Sequence, residues 1–371
     1  MPIIYADVIE LLDRFRKKTS IEDIISANLQ PADLQLLLSS MYLNLVGRIS
    51  PSDLLKRYSE SRFVQTCAVP QKELIELDTL CYENLPPQFE SVEFSAVAPL
   101  GTNSILSRIS QNVVMSGVRN VEVVADPTTI IALECALRRK SGSKTPNHLA
   151  TSMRCLRLQP FEKETGFTPH FRIFALGSSG RRPKMAVLDV MGSHLDTVLR
   201  IANQLNRKVN SVAKTEVYIS DIAFTERVIG SFGIDRQKLR RHAQGEDFKL
   251  FNLFPVEDEE LVPSISKARH LLQRFTPSLQ NLVDFERNKL TQLKSTYPNV
   301  EFMFDLGRIA GIGYYNGPCY KVICRTKEGV RVPIADGGYS DWVAKVLSDD
   351  KETFFSSGIG TELFYKMFIN K

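Results

Sequence analysis

The stretch from Phe302 to Tyr339 sets glycines beside aromatic side chains, a pattern that suits the wall of a ligand site. Gly307, Gly311, Gly313 and Gly317 surround the pair Tyr314–Tyr315 and Asn316, and Asp336-Gly337-Gly338-Tyr339 closes the stretch. Glycine lets a backbone approach a ligand closely while neighbouring rings form a wall. The alternative is a β-meander with tight turns, in which the tyrosines are core residues and Asp336 only caps a turn.

Two segments of alternating polarity carry basic side chains. Met153 to Leu158 includes Arg154 and Arg157, and His170 to Leu176 includes His170 and Arg172. Because a charged loop joins the two segments, they predict an antiparallel hairpin. The structural alternative is that Arg157 is a salt-bridged strand residue and His170 a satisfied core histidine.

Composition bounds the class of protein. The chain has 371 residues, 43% hydrophobic and 24% charged, which is typical of a soluble globular protein with a large core. A net charge of +5 permits contact with nucleic acid without arguing for it, because both signs are mixed along the chain. The basic run Asp235–His242 could face nucleic acid, but we prefer a solvated helix face.

Several classes are excluded by what the sequence lacks. The amino-terminal residues do not form a signal peptide, and no stretch approaches 18 apolar residues, so no membrane span is expected. The six cysteines form no CxxC pair and none lies at metal-ligand spacing from a histidine, which predicts no metal site, no disulfide framework and a cytoplasmic location. The common motifs of nucleotide-binding loops, serine hydrolases and zinc proteases are also missing.

The order of elements favours an α+β fold. Residues 1–66 contain only helical patterns and predict an N-terminal helical segment packed on the main body. Residues 67–371 mix helices with the antiparallel hairpin and end in a β-rich tail. They do not follow the strict βαβ alternation of a doubly wound parallel sheet.

Roughly residues 70–371 resemble the core of a class II aminoacyl-tRNA synthetase, specifically the histidyl-tRNA synthetase subgroup. The resemblance rests on boxes that follow one another in the family's order: Gln71–Pro99 for motif one, Ala125–Thr129 for the activation segment, Leu156–Gln159 for the FRxE-like motif two, Ala310–Gly317 for RGLDYYTG, Ala335–Ser340 for AGGRYD and Gly358–Leu363 for GxGxER. It implies a mixed, mainly antiparallel sheet flanked by helices, an insertion at about residues 231–298, and a homodimer formed through motif one.

The departures from the family pattern fall on its charged residues. Ala310, Gly338 and Leu363 stand where the family has arginines, and Gly313 stands where it has the aspartate that meets the α-amino group. Adenylate formation requires positive groups that hold a triphosphate for in-line attack. The chain also ends soon after motif three, so the resemblance does not include the anticodon-binding domain. We therefore expect a paralogue that does not charge tRNA with histidine.

Three functions follow from the resemblance. The first is a ligand-binding or regulatory protein with an amino-acid or nucleotide pocket, similar to the regulatory subunit of ATP phosphoribosyltransferase and working with a heteromeric enzyme partner. The second is a ligase that joins a carboxylic acid to an amine through an adenylate, with ATP and Mg²⁺. The third is a protein that binds tRNA or another nucleic acid. Whether the chain is an enzyme stays open.

No residue is assigned a catalytic role at this stage. The residues expected to contact a small ligand are Arg157, Gln159, His170, Arg172, Arg308, Tyr314, Tyr315, Asn316, Asp336, Gly337, Tyr339 and Glu362.

Overall fold

A mixed, mainly antiparallel sheet organises the chain. The computed structural model describes residues 30–159, 168–234, 239, 249–254 and 258–369. In these residues the strand order of the large sheet is β1-β4-β5-β11-β10-β9-β6-β8-β7, and β2 pairs with β3 apart from it. The strands are β1 Glu90–Ser91, β2 Val97–Pro99, β3 Val121–Val123, β4 Asn147–Leu156, β5 His170–Arg181, β6 Val212–Asp221, β7 Leu261–Val262, β8 Val300–Asp305, β9 Pro318–Thr326, β10 Arg331–Ser340 and β11 Glu352–Ile359.

Helices cover both faces of this sheet. The described helices are α1 Pro31–Val46, α2 Pro51–Glu60, α3 Gln71–Glu83, α4 Thr102–Leu106, α5 Pro127–Lys140, α6 Val187–Val209, α7 Ile222–Ser231, α8 Arg269–Phe285, α9 Thr291–Thr296, α10 Trp342–Leu347 and α11 Thr361–Phe364. The main core packs α6 and α8 against the sheet, and a second core packs α5 and α10 on β4, β5 and β11. The predicted α+β fold is confirmed.

Capping chemistry fixes the start of the helix that borders the site. Asp126 has extended backbone and its carboxylate accepts a hydrogen bond from the Thr128 amide at 3.0 Å, while Pro127 occupies the first helical position. Both residue types favour a helix start. The fold therefore holds Asp126 at the N-terminus of α5.

The predicted hairpin is present as β4 and β5. Arg154 lies opposite Arg172, and Leu156 lies opposite His170. The alternating polarity of residues 89–97 predicts one continuous strand, but β1 covers only Glu90–Ser91 and β2 begins at Val97, on a different sheet. The reason is that β1 pairs with β4 whereas β2 pairs with β3, so the chain leaves one sheet for the other between them.

The N-terminal helices differ from expectation. Neither α1 nor α2 buries a side chain, although α1 carries apolar residues such as Met41, Leu43 and Val46. The packing on the main body that the sequence predicted is therefore not seen for these two helices. The earlier helical prediction for residues 1–29, and most of the basic run Asp235–His242 within the expected insertion, lie outside the described residues. No helix in the described ranges is long and apolar enough to cross a membrane.

Candidate functional site

A cavity of about 740 Å³ opens over the middle of the sheet. Its floor comes from β5, β9, β10 and β11, and its walls from the glycine-rich turn at 311–315, the start of α5 and the start of α11. This size is within the usual range for small-molecule sites.

Seven of the twelve residues expected at a ligand site line this cavity. They are Arg157, Gln159, Arg172, Tyr314, Tyr315, Asp336 and Glu362. His170, Arg308, Asn316, Gly337 and Tyr339 do not line it among the described residues. The structure thus brings the hairpin, the tyrosine pair and the third motif together around one space.

Tyr314 forms a rigid wall. Its hydroxyl donates to Asp126 Oδ2 at 2.8 Å and lies 2.8 Å from Thr128 Oγ1, and its ring packs edge-on against Trp342. Burial, together with the Asp126 charge, raises the pKa of Tyr314 well above its usual range. Tyr315 packs edge-on against Tyr314, with ring centroids 4.7 Å apart. The aromatic pair therefore shapes the cavity and does not titrate near neutral pH.

Arg157 is the hairpin arginine that stays most available. Its Nε donates to the Ala125 carbonyl at 2.9 Å, and its Nη2 lies 3.7 Å from Asp126, beyond a normal hydrogen bond. The guanidinium sits 5.4 Å from the centre of the Phe171 ring, and the side chain is 27% exposed. It could contact an anionic group of a ligand without first breaking a strong ion pair.

The other hairpin arginines are engaged by carboxylates. Arg172 lies 2.6 Å from Asp78, and Arg154 lies 3.0 Å from the buried Glu362. Glu362 also lies 2.7 Å from Lys366, although neither of its oxygens accepts a well-aligned hydrogen bond in the described part of the chain. Burial alone would raise the pKa of Glu362, but Lys366 and Arg154 lower it, so this carboxylate is ionised and internally neutralised.

His170 supports the hairpin from outside the cavity. Its Nδ1 lies 3.0 Å from Arg154 Nη1. Burial, with the Arg154 charge, lowers the pKa of His170, so the neutral ring accepts a hydrogen bond from the arginine. The residue positions the Arg154–Glu362 pair.

Arg308 is buried behind the cavity floor. Its Nη2 donates to both Asp336 oxygens, at 2.9 and 2.8 Å, and its Nε donates to the Ala310 carbonyl at 2.8 Å. Its Nη1 is buried without a hydrogen-bond partner among the described residues. Arg308 therefore holds the turn and Asp336 in place, and it does not replace the family arginine that Ala310 lacks.

Asn316, Gly337 and Tyr339 have structural roles. Asn316 accepts a hydrogen bond from the Asp341 amide at 3.2 Å, and its own amide donates to the Tyr339 carbonyl at 2.9 Å. A Cβ built on Gly337 would lie 2.3 Å from Ser357 Oγ, so no side chain fits there. These residues close the turn against β10.

Two of the positions that depart from the family, Gly338 and Gly313, are unfavourable for a side chain. A Cβ at Gly338 would lie 2.6 Å from both Cys319 Cβ and the Tyr315 ring, and Gly313 has φ +85° with Arg108 Nη1 3.0 Å from its Cβ position. Leu363 lines the cavity where motif three has an arginine. The packing around Gly338 and the backbone conformation of Gly313 therefore disfavour the family's charged side chains, whereas Leu363 replaces one at the cavity wall.

Three of the cavity-lining residues that sequence reasoning did not assign to the site, Asp126, Thr128 and Lys321, had a signal in the sequence. Asp126 and Thr128 were assigned to the activation segment but not to the site, although the Asp-Pro helix start was a signal. Lys321 was not singled out, although a lysine inside the otherwise apolar strand Cys319–Cys324 was a signal as well.

Comparison with known proteins gives structural neighbours only. No family model matches the sequence, and no curated protein matches it. An ATP phosphoribosyltransferase regulatory subunit/histidyl-tRNA synthetase from Bacillus halodurans is similar in structure, with 16% identity and a TM-score of 0.62 over 83% of this chain and 82% of that one.

Two further solved structures are similar. A histidine–tRNA ligase subunit from Alicyclobacillus acidocaldarius is 17% identical, with a TM-score of 0.57 over 80% of this chain and 94% of that one. A histidyl-tRNA synthetase from Nostoc is 16% identical, with a TM-score of 0.57 over 82% and 74%. At such identities the likeness shows the fold, which is that of a class II synthetase core as the sequence motifs predicted.

Proposed function

We propose that this chain binds a small ligand of the amino-acid or nucleotide kind in the cavity and acts as a regulatory or sensing protein that does not charge tRNA. One observation carries the proposal: the cavity keeps its aromatic walls while its family charges are absent or engaged internally. Tyr314 and Tyr315 line it, Leu363 replaces an arginine, and Arg308 is committed to Asp336. A pocket of this kind can bind a ligand while lacking the means to activate it.

The argument against charging is electrostatic. Adenylate formation builds negative charge on a triphosphate, and each fixed donor that stabilises such charge contributes about 3 to 4 kcal/mol. Two missing donors would slow the reaction by roughly 10⁴-fold or more. Of the two described arginines that line the cavity, Arg172 lies 2.6 Å from Asp78, and only Arg157, on motif two, has no carboxylate closer than 3.7 Å.

The experiment combines two assays. We expect no aminoacylation of tRNA with histidine and no ATP–pyrophosphate exchange with histidine. Thermal shift with histidine, other amino acids, AMP and ATP with Mg²⁺ should reveal stabilisation by a ligand without turnover. Turnover with tRNA and histidine, or no shift with any of these compounds, would contradict the proposal.

A regulatory role needs a partner enzyme. The Bacillus halodurans neighbour is named as a regulatory subunit, which supports a heteromeric partner for this chain as part of the proposal. Affinity purification of the tagged chain from its native cells, with and without the stabilising ligand, tests this. A partner enzyme whose activity depends on that ligand is the expected result.

Homodimer formation is also part of the proposal. The end of motif one and the segment that follows it expose apolar side chains, with 43% of Val97, 45% of Leu100 and 78% of Ile105 accessible. Exposed apolar residues grouped on one surface favour a protein interface. A reducing cytoplasm remains the proposed compartment, and the six free cysteines fit it.

The second candidate is the adenylate-forming ligase, which Arg157 favours. This side chain could hold one phosphate of ATP. The cavity carboxylate of Asp126 lies 3.7 Å from Arg157, a looser pairing than the 2.7 Å between Glu362 and Lys366. ATP would supply the leaving group in such a reaction, and Mg²⁺ would neutralise its phosphates. Pyrophosphate exchange dependent on some carboxylic acid would favour this candidate. Nucleic-acid binding stays a prediction, because most of the basic run lies outside the described residues.

A further inference from the structure

We propose that Lys321 anchors an acidic group of the ligand, a phosphate or a carboxylate other than the α-carboxylate common to all amino acids, over strands β9 and β10. The inference rests on the proposed function, because it concerns the same cavity and names the chemistry of its ligand. It makes the ligand more acidic than histidine.

Lys321 stands in a row that crosses the cavity floor. It lies directly opposite Asp336 on β10 and Tyr218 on β6, and Asp336 lies opposite Gly358 on β11. Residues directly opposite in antiparallel strands point to the same face of the sheet. Gly358 has no side chain, so space opens beside Asp336 and Lys321 can face the cavity, which it lines.

The carboxylate opposite Lys321 is already used. Both oxygens of Asp336 accept hydrogen bonds from Arg308 Nη2. Across the residues that the structure describes, no carboxylate lies within 4.0 Å of the Lys321 ammonium and no hydrogen bond reaches it. Lys321 is therefore the cavity cation whose neighbouring acid is neutralised by another base.

Each of the other described cavity cations has a carboxylate within 4.0 Å, and the contact of Arg157 is the loosest. Lys366 lies 2.7 Å from Glu362, Arg172 lies 2.6 Å from Asp78, and Arg157 lies 3.7 Å from Asp126. A partly buried charge without a partner is costly, and such charges are ordinarily matched by an opposite charge. Burial, with the nearby Arg308 charge, lowers the pKa of Lys321 and outweighs the opposite effect of the Asp336 and Asp305 charges.

Geometry separates this anchor from the motif-two arginine. Three strand steps lead from β5 to β9 in the sheet order, which places the two ends of the floor about 14 Å apart. A ligand that reaches Lys321 therefore presents its acidic group well away from Arg157. An amino acid with an acidic side chain and a phosphorylated small molecule share this chemistry.

The test uses matched pairs of probes that differ only in the anion. Thermal shift and calorimetry would compare L-glutamate with L-glutamine, O-phospho-L-serine with L-serine, and AMP with adenosine, with L-histidine as a further neutral probe. The proteins are the full chain and its variants Lys321→Met and Lys321→Arg. Lys327→Met is the matched control, because Lys327 is exposed on the same β9–β10 hairpin.

The acidic member of at least one pair should bind the unmodified chain more tightly than its neutral partner. Lys321→Met should weaken that binding at least about tenfold, since a charge-assisted hydrogen bond is lost, while Lys321→Arg and Lys327→Met keep most of it. The glutamate and phosphoserine arms distinguish a carboxylate from a phosphate.

Two results would overturn the inference while the proposed function stands. One is equal binding of the acidic probe to Lys321→Met, and the other is binding of histidine, glutamine or adenosine with no preference for any acidic partner. Failure of every probe to bind the unmodified chain would overturn the proposed function and the inference together.

Discussion

His194 of α6 is hydrogen-bonded to Ser357 of β11, with 2.9 Å between Nδ1 and Oγ. Its other nitrogen lies 2.8 Å from Ser178 Oγ on β5, and Tyr320 donates to Ser357 at 2.7 Å. Because Ser357 already accepts from Tyr320, its own hydrogen can go to Nδ1, which leaves the His194 proton on Nε2. Ser357 also lines the cavity, so this buried network ties the main helix to the ligand site.

The first prediction concerns acid stability. Burial, with the nearby His148, lowers the pKa of His194 from 6.5 to about 3. As the pH falls below 6.5, His194 binds a proton in the unfolded chain but not in the folded chain, so stability is lost progressively down to about pH 3. Between pH 7 and pH 5 this one group should remove about 2 kcal/mol.

His194→Gln should remove that loss, since glutamine can donate and accept but does not titrate in this range. Urea unfolding of both proteins at pH 7, 6 and 5 measures how the free energy of unfolding of each changes with pH. The contribution of the carboxylates is common to both proteins and cancels in the difference. The variant should be less stable at pH 7, and the gap should narrow towards pH 5. A gap that stays constant with pH would argue against a neutral, buried His194.

The second prediction concerns the aromatic wall. Tyr314→Phe removes the donor to Asp126 and leaves a buried carboxylate oxygen without that hydrogen bond. The free energy of unfolding should fall by about 1 to 3 kcal/mol. Tyr58→Phe is the control, because Tyr58 is 50% exposed and its change should stay within about 0.5 kcal/mol. Denaturant unfolding measures both, and equal effects would show that Tyr314 is only a packing residue.

The third prediction concerns the glycine that replaces a family arginine. Gly338→Ala places a Cβ against Cys319 and Tyr315 and should destabilise the fold by about 1 to 3 kcal/mol. Gly230→Ala is the matched control: no atom lies within 4 Å of its Cβ position, in helix α7. Gly230→Ala should raise the free energy of unfolding by about 0.5 to 1 kcal/mol. A well-tolerated Gly338→Ala would contradict the close packing of Cys319 and Tyr315 around this position.

Local signals in the sequence predicted much of the frame. The alternation in β4 and β5 depends on near neighbours in the chain and appears as expected, and the Asp126-Pro127 start of α5 is a local signal of the same kind. Whether Lys321 has a partner for its charge depends on Arg308, because Arg308 binds the Asp336 carboxylate that lies opposite Lys321 in the sheet. Such competition for one partner is decided by tertiary packing, so no local pattern could show it.

The same reason explains which expected site residues lie outside the cavity. Arg308 sits two residues before Ala310, so sequence position suggested a substitute for the missing arginine. The side chain instead turns to the Ala310 carbonyl and to Asp336, and only 3% of it is exposed. A guanidinium buried with two carboxylate oxygens is held more strongly than one offered to solvent. Motif spacing predicts where such a residue lies in the chain, but it does not predict which side chain the residue will bind.

The last prediction concerns the oligomer. A homodimer formed next to motif one would place Ile105, 78% exposed in the single chain, at or near an interface with Val97 and Leu100. Because a two-fold interface repeats each residue, Ile105→Glu would add two glutamates to one apolar contact. We expect the unmodified chain to sediment as a dimer at micromolar concentration and Ile105→Glu to sediment as a monomer with an unchanged circular dichroism spectrum. Leu55→Glu, at a 71% exposed position on α2, should leave the dimer intact. A monomeric unmodified chain would contradict the homodimer, and a dimer that persists in Ile105→Glu would show that its interface lies elsewhere. In either case the motif-one resemblance would predict the fold but not the mode of assembly.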